Sequence, residues 1–511
     1  MVEASFADAQ ARPLDVIQAL AKQHLYSDTS TDAFELRVTN RFKELLADKF
    51  DQIPSLDQTD ALEQHSLVRF RCMLQDTGLG SEVYAATTRD NAGNEHYRLW
   101  CDEAPSDSST DLRPQDDASA LRERQLIYAV EIPGEAAWLR PAQDVLSNAA
   151  NLTPDDSKSR DLLSGKFPLP GTSHKAALLK LYVPDDSLKA ADTVEVIGIL
   201  DRTSFSPGSL DDPGAPLDET ATGPTIPSLH IVAYQAVDRT SIRNALPSLS
   251  QRSAVRDALV AYIAKALDGD LIAAEWTLLH LISKTHTRRG ALALGSLPLN
   301  LTLPSSKLGE SEKLLHETLA YLLPTFVELP MTIDALNATT PYSPVSKDEN
   351  LQAGRLQLAP GTQVLIDERA LHEGKLNEAG LKNVQAVTRA ISDQKLSYIF
   401  PFSSFDLDID LNFLVLSIGK SFLQISCNVP VQPQGGSSGA SNPTSPDLAA
   451  FRAIIAEARA QSFTIPDAVS KHIQDEFVEQ RRSAPSGVIT QEDLQLRLTL
   501  ARLLSLKSRE A

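Results

Sequence analysis

Asp268-Gly269-Asp270-Leu271-Ile272-Ala273-Ala274-Glu275-Trp276-Thr277-Leu278-Leu279 sets a Gly-Asp turn in front of a strongly apolar helix that continues through Leu281 and Ile282. A phosphate-binding loop also leads from a glycine turn into a helix, with a Lys and then a Ser or Thr where the helix begins. The Lys brings positive charge to the terminal phosphates and the hydroxyl holds magnesium. Here the corresponding pair is Glu275 and Trp276. A carboxylate repels phosphate, and an indole offers magnesium no ligand. Taken alone, a Gly-Asp turn before a buried helix is an ordinary helix start. Reading it as a phosphate loop that kept its turn, Gly269-Asp270, and lost its ligands depends on the rest of the chain.

Downstream, Val364-Leu365-Ile366-Asp367-Glu368 is a compact apolar strand ending in two acids. That is the layout of a Walker B motif, in which the Asp holds magnesium and the Glu polarises an attacking water. The ordinary alternative is that the two acids open a helix, where negative charge complements the dipole. Other chemistry-bearing residues form no pattern. His280, His286, His316 and His372 are scattered without an HExxH, so core or surface histidines are expected, not a metal site. No Ser lies in a GxSxG elbow, and Asp406, Asp408 and Asp410 alternate on a hairpin-like segment whose expected role is a solvated edge.

The chain has 511 residues, too many for one core, and its 42% hydrophobic and 23% charged content is that of a globular protein. The formal net charge of -19 weighs against a general nucleic-acid binder, whose affinity comes largely from neutralising phosphates. Cys72, Cys101 and Cys427 are widely separated, so neither a zinc module nor a disulfide framework is expected. The first ten residues lack the basic start and apolar run of a secretory signal, and no apolar run reaches the length of a membrane span.

Pro13 to Phe50 reads as a small helical unit, with Phe34, Val38, Phe42 and Leu46 at helical spacing. From Leu67 to Gln75 the period becomes two. Val68, Phe70, Cys72 and Leu74 mark one buried face, and Arg69 and Arg71 an outer, solvated one; Ser81 to Thr88 is the expected return strand. Further short strands at Gln125 to Val130, Ala177 to Val183, Thr193 to Leu200 and Leu229 to Tyr234 suggest a small β-barrel. Glu103 to Ser119, Ala142 to Lys166 and Ser206 to Pro227 read as polar, loosely ordered loops, and Trp138 as an anchor. From Ser253 the pattern turns α/β: Val255, Leu259 and Ile263 step along a helix, Arg288-Arg289-Gly290 ends the helix after the Gly-Asp turn, and Ala291 to Leu303 reads as one strand. Helices at Ser311 to Tyr321 and Leu381 to Ile391 and a buried strand at Leu411 to Ile418 follow. Pro433 to Pro446 is a linker and the remainder is helical, with Thr490 as the N-cap of the last helix.

Several stretches together carry a resemblance to a known family. They are Leu67-Val68-Arg69-Phe70-Arg71-Cys72-Met73-Leu74-Gln75-Asp76, Val130-Glu131-Ile132-Pro133-Gly134-Glu135, Phe167-Pro168-Leu169-Pro170-Gly171, Asp192 to Leu200, Gly269-Asp270 through Ser283 with Thr287-Arg288-Arg289, Val364 to Glu368, and Asp475-Glu476-Phe477-Val478-Glu479. The chain resembles the MCM-binding protein family, partners of the minichromosome maintenance (MCM) helicase, and the family itself looks like a degenerate MCM subunit. The resemblance implies an α/β and β multidomain fold. Its parts are an N-terminal helical unit (1–60), an OB-like β-barrel domain (61–240), a degenerate AAA-type α/β domain (250–431), a linker (432–447) and a C-terminal helical lid (448–511). It further implies vestigial phosphate-loop residues Gly269, Asp270, Glu275 and Trp276 and vestigial Walker B residues Asp367 and Glu368. The sensor Asn falls near Gly419 and the sensor Arg at Glu492; Ser404-Phe405-Asp406-Leu407 is similar to an arginine-finger segment but lacks the Arg. With no Lys or Ser/Thr in place, no ATP hydrolysis, no cofactor and no resident metal are expected. The implied partners are MCM subunits, with indirect chromatin association, a nuclear location and roles in DNA replication and sister-chromatid cohesion. Two alternatives stay open: a nucleotide-binding ATPase, and a single-strand DNA binder using Arg69 and Arg71 on the barrel.

Overall fold

The structure is a computed structural model. It describes residues 5–26, 33–56, 63–89, 95–97, 100–102, 113–114, 121–140, 163, 165–172, 174–204, 225–237, 239–290, 292–304, 310–347, 350–434, 443–462, 467–483 and 491–508. Glu103 to Ser119, apart from Arg113–Pro114, most of Ala142 to Lys166, 205–224, 435–442 and Thr490 lie outside the described residues.

Three helices open the chain: α1 (Phe6–Ala11), α2 (Pro13–Tyr26) and α3 (Phe34–Leu46). Ser5 and Asp8 form a reciprocal capping box on α1. The i, i+4 row Phe34, Val38, Phe42 and Leu46 is buried as its spacing predicts, and packs with Trp100, Tyr182, Ile197 and Val232. The helical unit therefore closes one side of the strand assembly that follows it.

That assembly contains β1 (Leu67–Asp76), β2 (Ser81–Ala85), β3 (Thr87–Arg89), β4 (Glu95–Tyr97), β5 (Arg113–Pro114), β6 (Leu121–Glu131), β7 (Ala176–Leu181), β8 (Thr193–Ser204) and β9 (Thr225–Ala236). The pairings run β1-β8-β9-β7-β6 and return from β6 to β1, so five strands close a ring. Every pairing in the ring is antiparallel except β7 with β9. Val68, Phe70, Cys72, Leu74, Ile127, Leu179, Val196 and Leu229 share one core. The expected return strand is not a hairpin partner of β1: β2 pairs with β6, and β3 joins β4 and β5 in a separate small sheet. Nor does β1 have a solvated face. Met73 joins Tyr128, Phe167 and Ala359 in a second core on the outside of the ring. The end of the stretch read as a loose loop is packed too, with Leu163, Lys166 and Phe167 buried.

The α/β part runs α4 (Leu249–Lys265), α5 (Leu271–Ile282), β10 (Thr287–Arg289), β11 (Leu292–Leu294), β12 (Leu299–Thr302), α6 (Glu310–Leu322), β13 (Phe326–Pro330), α7 (Ile333–Asn337), β14 (Val345–Lys347), β15 (Asn350–Gln352), β16 (Gln363–Asp367), α8 (Glu378–Asp393), β17 (Lys395–Ile399), β18 (Ser404–Asp408), β19 (Asn412–Ser417) and β20 (Cys427–Pro430). The single strand expected from Ala291 to Leu303 is two: β11 closes a hairpin with β10, where a helix end had been expected, and β12 starts only after Gly295 has turned the chain. Five strands form one parallel sheet in the order β13-β16-β19-β12-β20. The central strands β16 and β19, buried on both faces, read as near-continuous apolar runs. Leu299, Leu301, Leu365, Leu414 and Leu416 face a core shared with α4, α5 and α6, while Val364, Ile366, Phe413 and Val415 face α8. α9 (Ser445–Ala460), α10 (Asp467–Ser483) and α11 (Gln491–Ser508) complete the chain. Phe451, Ile455 and Leu503 bring α9 and α11 into the α4–α5 core.

Ring and parallel sheet are joined by specific bonds. Gly134 takes φ +69°, and a Cβ there would lie 2.3 Å from the Phe326 carbonyl oxygen. This close approach lets Phe326 N donate to Gly134 O at 2.9 Å and Ala136 N to Pro324 O at 2.9 Å. Beside it, Gln357 Nε2 donates to Gln75 O at 2.7 Å and Lys166 Nζ to Asp76 Oδ2 at 2.9 Å. Trp138 anchors the far side, with the Arg452 guanidinium 4.0 Å from its ring centroid.

Candidate functional site

An open parallel sheet binds ligands at the carboxyl ends of its strands. Asp367 and Glu368 sit at that end of β16, where the sequence places a Walker B pair. Each of their four oxygens already accepts a hydrogen bond from the protein. Arg369 Nε donates to Asp367 Oδ1 at 2.7 Å, Arg369 Nη2 to Oδ2 at 2.9 Å, and the Arg369 main-chain N–H to Oδ1 at 3.0 Å. Glu368 is buried, and accepts from Phe422 N at 2.9 Å on one oxygen and from Leu423 N at 3.0 Å on the other. A magnesium-holding Asp needs free oxygens and a catalytic Glu must face a water. Here the Asp is clamped by an adjacent cation and the Glu pins the loop after β19.

The Gly-Asp turn lies elsewhere. A phosphate-binding loop runs strand–loop–helix; here α4, a helix, runs into the turn, and α5 precedes the first strand of the parallel sheet. The expectation of a vestigial phosphate loop at Gly269, Asp270, Glu275 and Trp276 is corrected on this order of elements. Each residue has a structural role. Gly269 takes φ +85° and its N–H bonds Ala264 O at 2.8 Å, ending α4. Asp270 caps α5, with Oδ1 accepting from Ile272 N at 2.9 Å and Ala273 N at 3.0 Å, while Oδ2 accepts from Gln432 N at 2.8 Å. Glu275 pairs with Arg256 Nη2 at 2.6 Å, and Trp276 packs half-buried on the helical core. The first strand of the parallel sheet in chain order is β12, and helix α6 follows it, as α7 follows β13 and α8 follows β16. The residues between β12 and α6 are Leu303-Pro304-Ser305-Ser306-Lys307-Leu308-Gly309, which lack the glycine spacing of a phosphate loop. Sequence reading missed this place because no motif marks it.

His280 is buried, with Nδ1 donating to Leu297 O at 2.7 Å and Nε2 3.0 Å from Gln363 Oε1; burial lowers its pKa to about 4. His316 pairs with Glu328 at 3.5 Å, His286 lies beside the β10–β11 hairpin, and His372 is exposed. Among the described residues the cluster with metal-ligand spacing is a different one, Asp102, Asp201 and His230, whose ligand atoms lie within 4.8 Å of one another. Its carboxylates are engaged: Asp102 with Arg124 and Lys180, Asp201 with Gln64 and the main-chain N–H groups of Asp102 and Arg202. With Arg124 and Lys180 in place, the group reads as an ion-pair network on the outer face of the ring, beside Tyr182 and Trp100.

Arg69 and Arg71 are not on a solvated face. Arg69 is buried against Glu195 at 2.9 Å, and Arg71 Nε bonds Glu135 Oε1 at 2.8 Å. The structure therefore removes both from the single-strand DNA reading. Asp406, Asp408 and Asp410 are likewise partnered: Asp406 by Arg389 and Ser397, Asp408 by Arg288, and Asp410 by Thr285 N.

The family model for the mini-chromosome maintenance replisome factor matches residues 42–161 and 146–510. The chain belongs to this MCM-binding family. Relatives named mini-chromosome maintenance complex-binding protein are 29% identical in Salmo salar (97% of this chain, 93% of the relative), 27% in Homo sapiens (98% and 94%) and 27% in Arabidopsis thaliana (94% and 91%). Membership in the MCM-binding family thus rests on nearly the whole length, not on the Gly-Asp turn. The family is named for binding, and in this chain Asp367 and Glu368 are both engaged by groups of the chain itself.

Proposed function

We propose that this chain is a non-catalytic binding protein for MCM helicase subunits. The observation that carries the non-catalytic half is the double occupation of Asp367 by Arg369 and of Glu368 by the Phe422 and Leu423 amides. The relatives' names support the binding half. We read the five-strand ring as an OB-like barrel, a reading supported by its Greek-key connectivity with one parallel pair. We read the parallel sheet with its acid-ended strand as a degenerate AAA-type domain, and the last three helices as its lid. An MCM-shaped body without catalytic groups presents interfaces of the kind subunits use on one another. It can take a neighbour's place, keep free subunits soluble, or help release them from chromatin during DNA replication and sister-chromatid cohesion, in the nucleus.

The test has two arms. Affinity purification of the tagged full-length chain recovers MCM subunits in stoichiometric amount, and calorimetry with Mg-ATP shows no binding and no turnover. Micromolar ATP affinity with hydrolysis overturns the non-catalytic reading; absence of MCM subunits from the purified material overturns the partner.

A further inference from the structure

Arg502, on α11, is 3% exposed, and its Nε and Nη1 have no hydrogen-bond partner among the described residues. A buried guanidinium without an acceptor or an anion is costly, because the charge has left water and nothing replaces it. Its surroundings make matters worse. α11 packs on α5, and the turn that follows α5 carries Lys284, Thr285 and His286. Lys284 feels the charge of both Arg502 and Arg459, and His286 that of Arg502 and Lys284, so each holds its proton less firmly than usual, burial contributing most. Arg459, from α9, donates Nη1 to Leu281 O at 3.3 Å at the carboxyl end of α5. Thr285 Oγ1 is also buried with no partner among the described residues. The carboxylate acting here is Asp410. It lies in reach of Lys284 and Arg459, and its Oδ1 accepts from Thr285 N at 3.0 Å.

Three orphaned donors, on Arg502 and Thr285, therefore lie in the region where α9 and α11 pack on α5, with Lys284, His286 and Arg459 as the basic groups around them and Asp410 as the acid bonded to Thr285 N among the described residues. Water satisfies donors but supplies no charge. An oxyanion supplies both, and the guanidinium fork suits one with several coplanar acceptors. We propose that the junction of α11, α9 and the 283–286 turn binds a small free oxyanion of the phosphate class. The burial of Arg502 leaves no room for a phosphate carried on a polymer, so the ligand is inorganic phosphate or of its size. Lys284, beside it, is half-buried.

The probe is inorganic phosphate, compared with sodium chloride at equal ionic strength on the full chain. Thermal unfolding is followed for the wild type, Arg502→Met, Thr285→Val and Lys284→Met. Phosphate is expected to raise the wild-type melting temperature by about 2 °C or more over chloride. Arg502→Met removes that difference, and the milder Thr285→Val and Lys284→Met reduce it; these two keep the test open if the Met at 502 fails to fold. Equal melting of the wild type in phosphate and chloride overturns the proposal. So does a phosphate effect that persists undiminished in all three variants. If Arg502→Met is more stable in both buffers and the wild type shows no phosphate preference, Arg502 is an uncompensated charge and the site does not exist.

Discussion

Arg369 holds Asp367 in a two-point clamp, Nε to Oδ1 at 2.7 Å and Nη2 to Oδ2 at 2.9 Å, two residues apart in the chain. An acid at the carboxyl end of a parallel strand is where nucleotide chemistry is expected, and here the cation that neutralises it is built in. Glu368, next in the chain, is spent on a loop 54 residues downstream. Both acids hold neighbouring parts of the fold, so their substitution is expected to be read in stability.

Glu368→Ala leaves the Phe422 and Leu423 amides without their acceptor in a buried place, at a cost of roughly 2–4 kcal/mol. Chemical denaturation measures it. The loss is expected in stability, while ATP binding stays absent before and after. A variant with unchanged unfolding midpoint contradicts the role assigned to Glu368.

Restoring ligands to the Gly-Asp turn creates no nucleotide site. Glu275→Lys with Trp276→Thr supplies the missing Lys and hydroxyl, yet the turn still follows helix α4 and not a strand. The new Lys faces Arg256, which now pairs with Glu275 at 2.6 Å. The pair is partly solvated, so the expected loss from this exchange is about 1 kcal/mol. Calorimetry with Mg-ATP is expected to show no heat of binding, and a measurable affinity returns the phosphate-loop reading to this stretch.

Gly134→Ala loosens the joint between ring and parallel sheet. The residue has φ +69°, and its Cβ overlaps the Phe326 carbonyl oxygen at 2.3 Å. Strain and overlap together cost roughly 2–4 kcal/mol. Hydrogen exchange of the Phe326 and Ala136 amides, which bond Gly134 O and Pro324 O, is expected to accelerate ahead of the ring strands. Unchanged protection of these amides counts against the joint.

Local pattern made much of this legible. The i, i+4 row of α3, the apolar run of β16 and the capped start of α5 each follow from residues close in sequence, and structure and pattern agree on them. What stayed hidden depends on long-range pairing. The ring closes only because β6 returns to β1, and nothing in either strand names its neighbour. The outer face of β1 was read as wet because Arg69 and Arg71 lie on it, whereas Glu195 and Glu135 neutralise them from 126 and 64 residues away. The Gly-Asp turn misled for a related reason. A glycine turn before an apolar helix is the same local solution whether a strand or a helix precedes it, and only the topology tells them apart. His230, in the apolar run of β9, and Arg502, on an otherwise ordinary last helix, carried no local signal: His230 meets Asp102 and Asp201 only through the fold, and two buried nitrogens of Arg502 find no partner among the described residues.

The acid side of the stability curve separates two kinds of buried group. His280 is lowered to about 4, chiefly by burial, against an unfolded value near 6.5. Between these values the unfolded chain binds the proton and the folded chain does not, so stability falls as pH drops from 6.5 towards 4. The full shift corresponds to about 3 kcal/mol. His174, stacked on Phe167 and also lowered to about 4 by burial, adds a loss of the same sign. Asp102 and Asp201 act later. Burial raises both, but His230 together with Lys180 and Arg124 around Asp102, and with the Asp102 and Arg202 amides around Asp201, holds them well below the ordinary carboxylate range. Their contribution is intact above pH 4 and drains away only as pH falls below it. Urea unfolding at half-unit steps from pH 7 to 3 is expected to show two descents, one between 6.5 and 4 and a steeper one below 4. His280→Gln is expected to make the first shallower, His174 keeping its share, and to leave the second. A first descent of the same depth in His280→Gln assigns it to other groups.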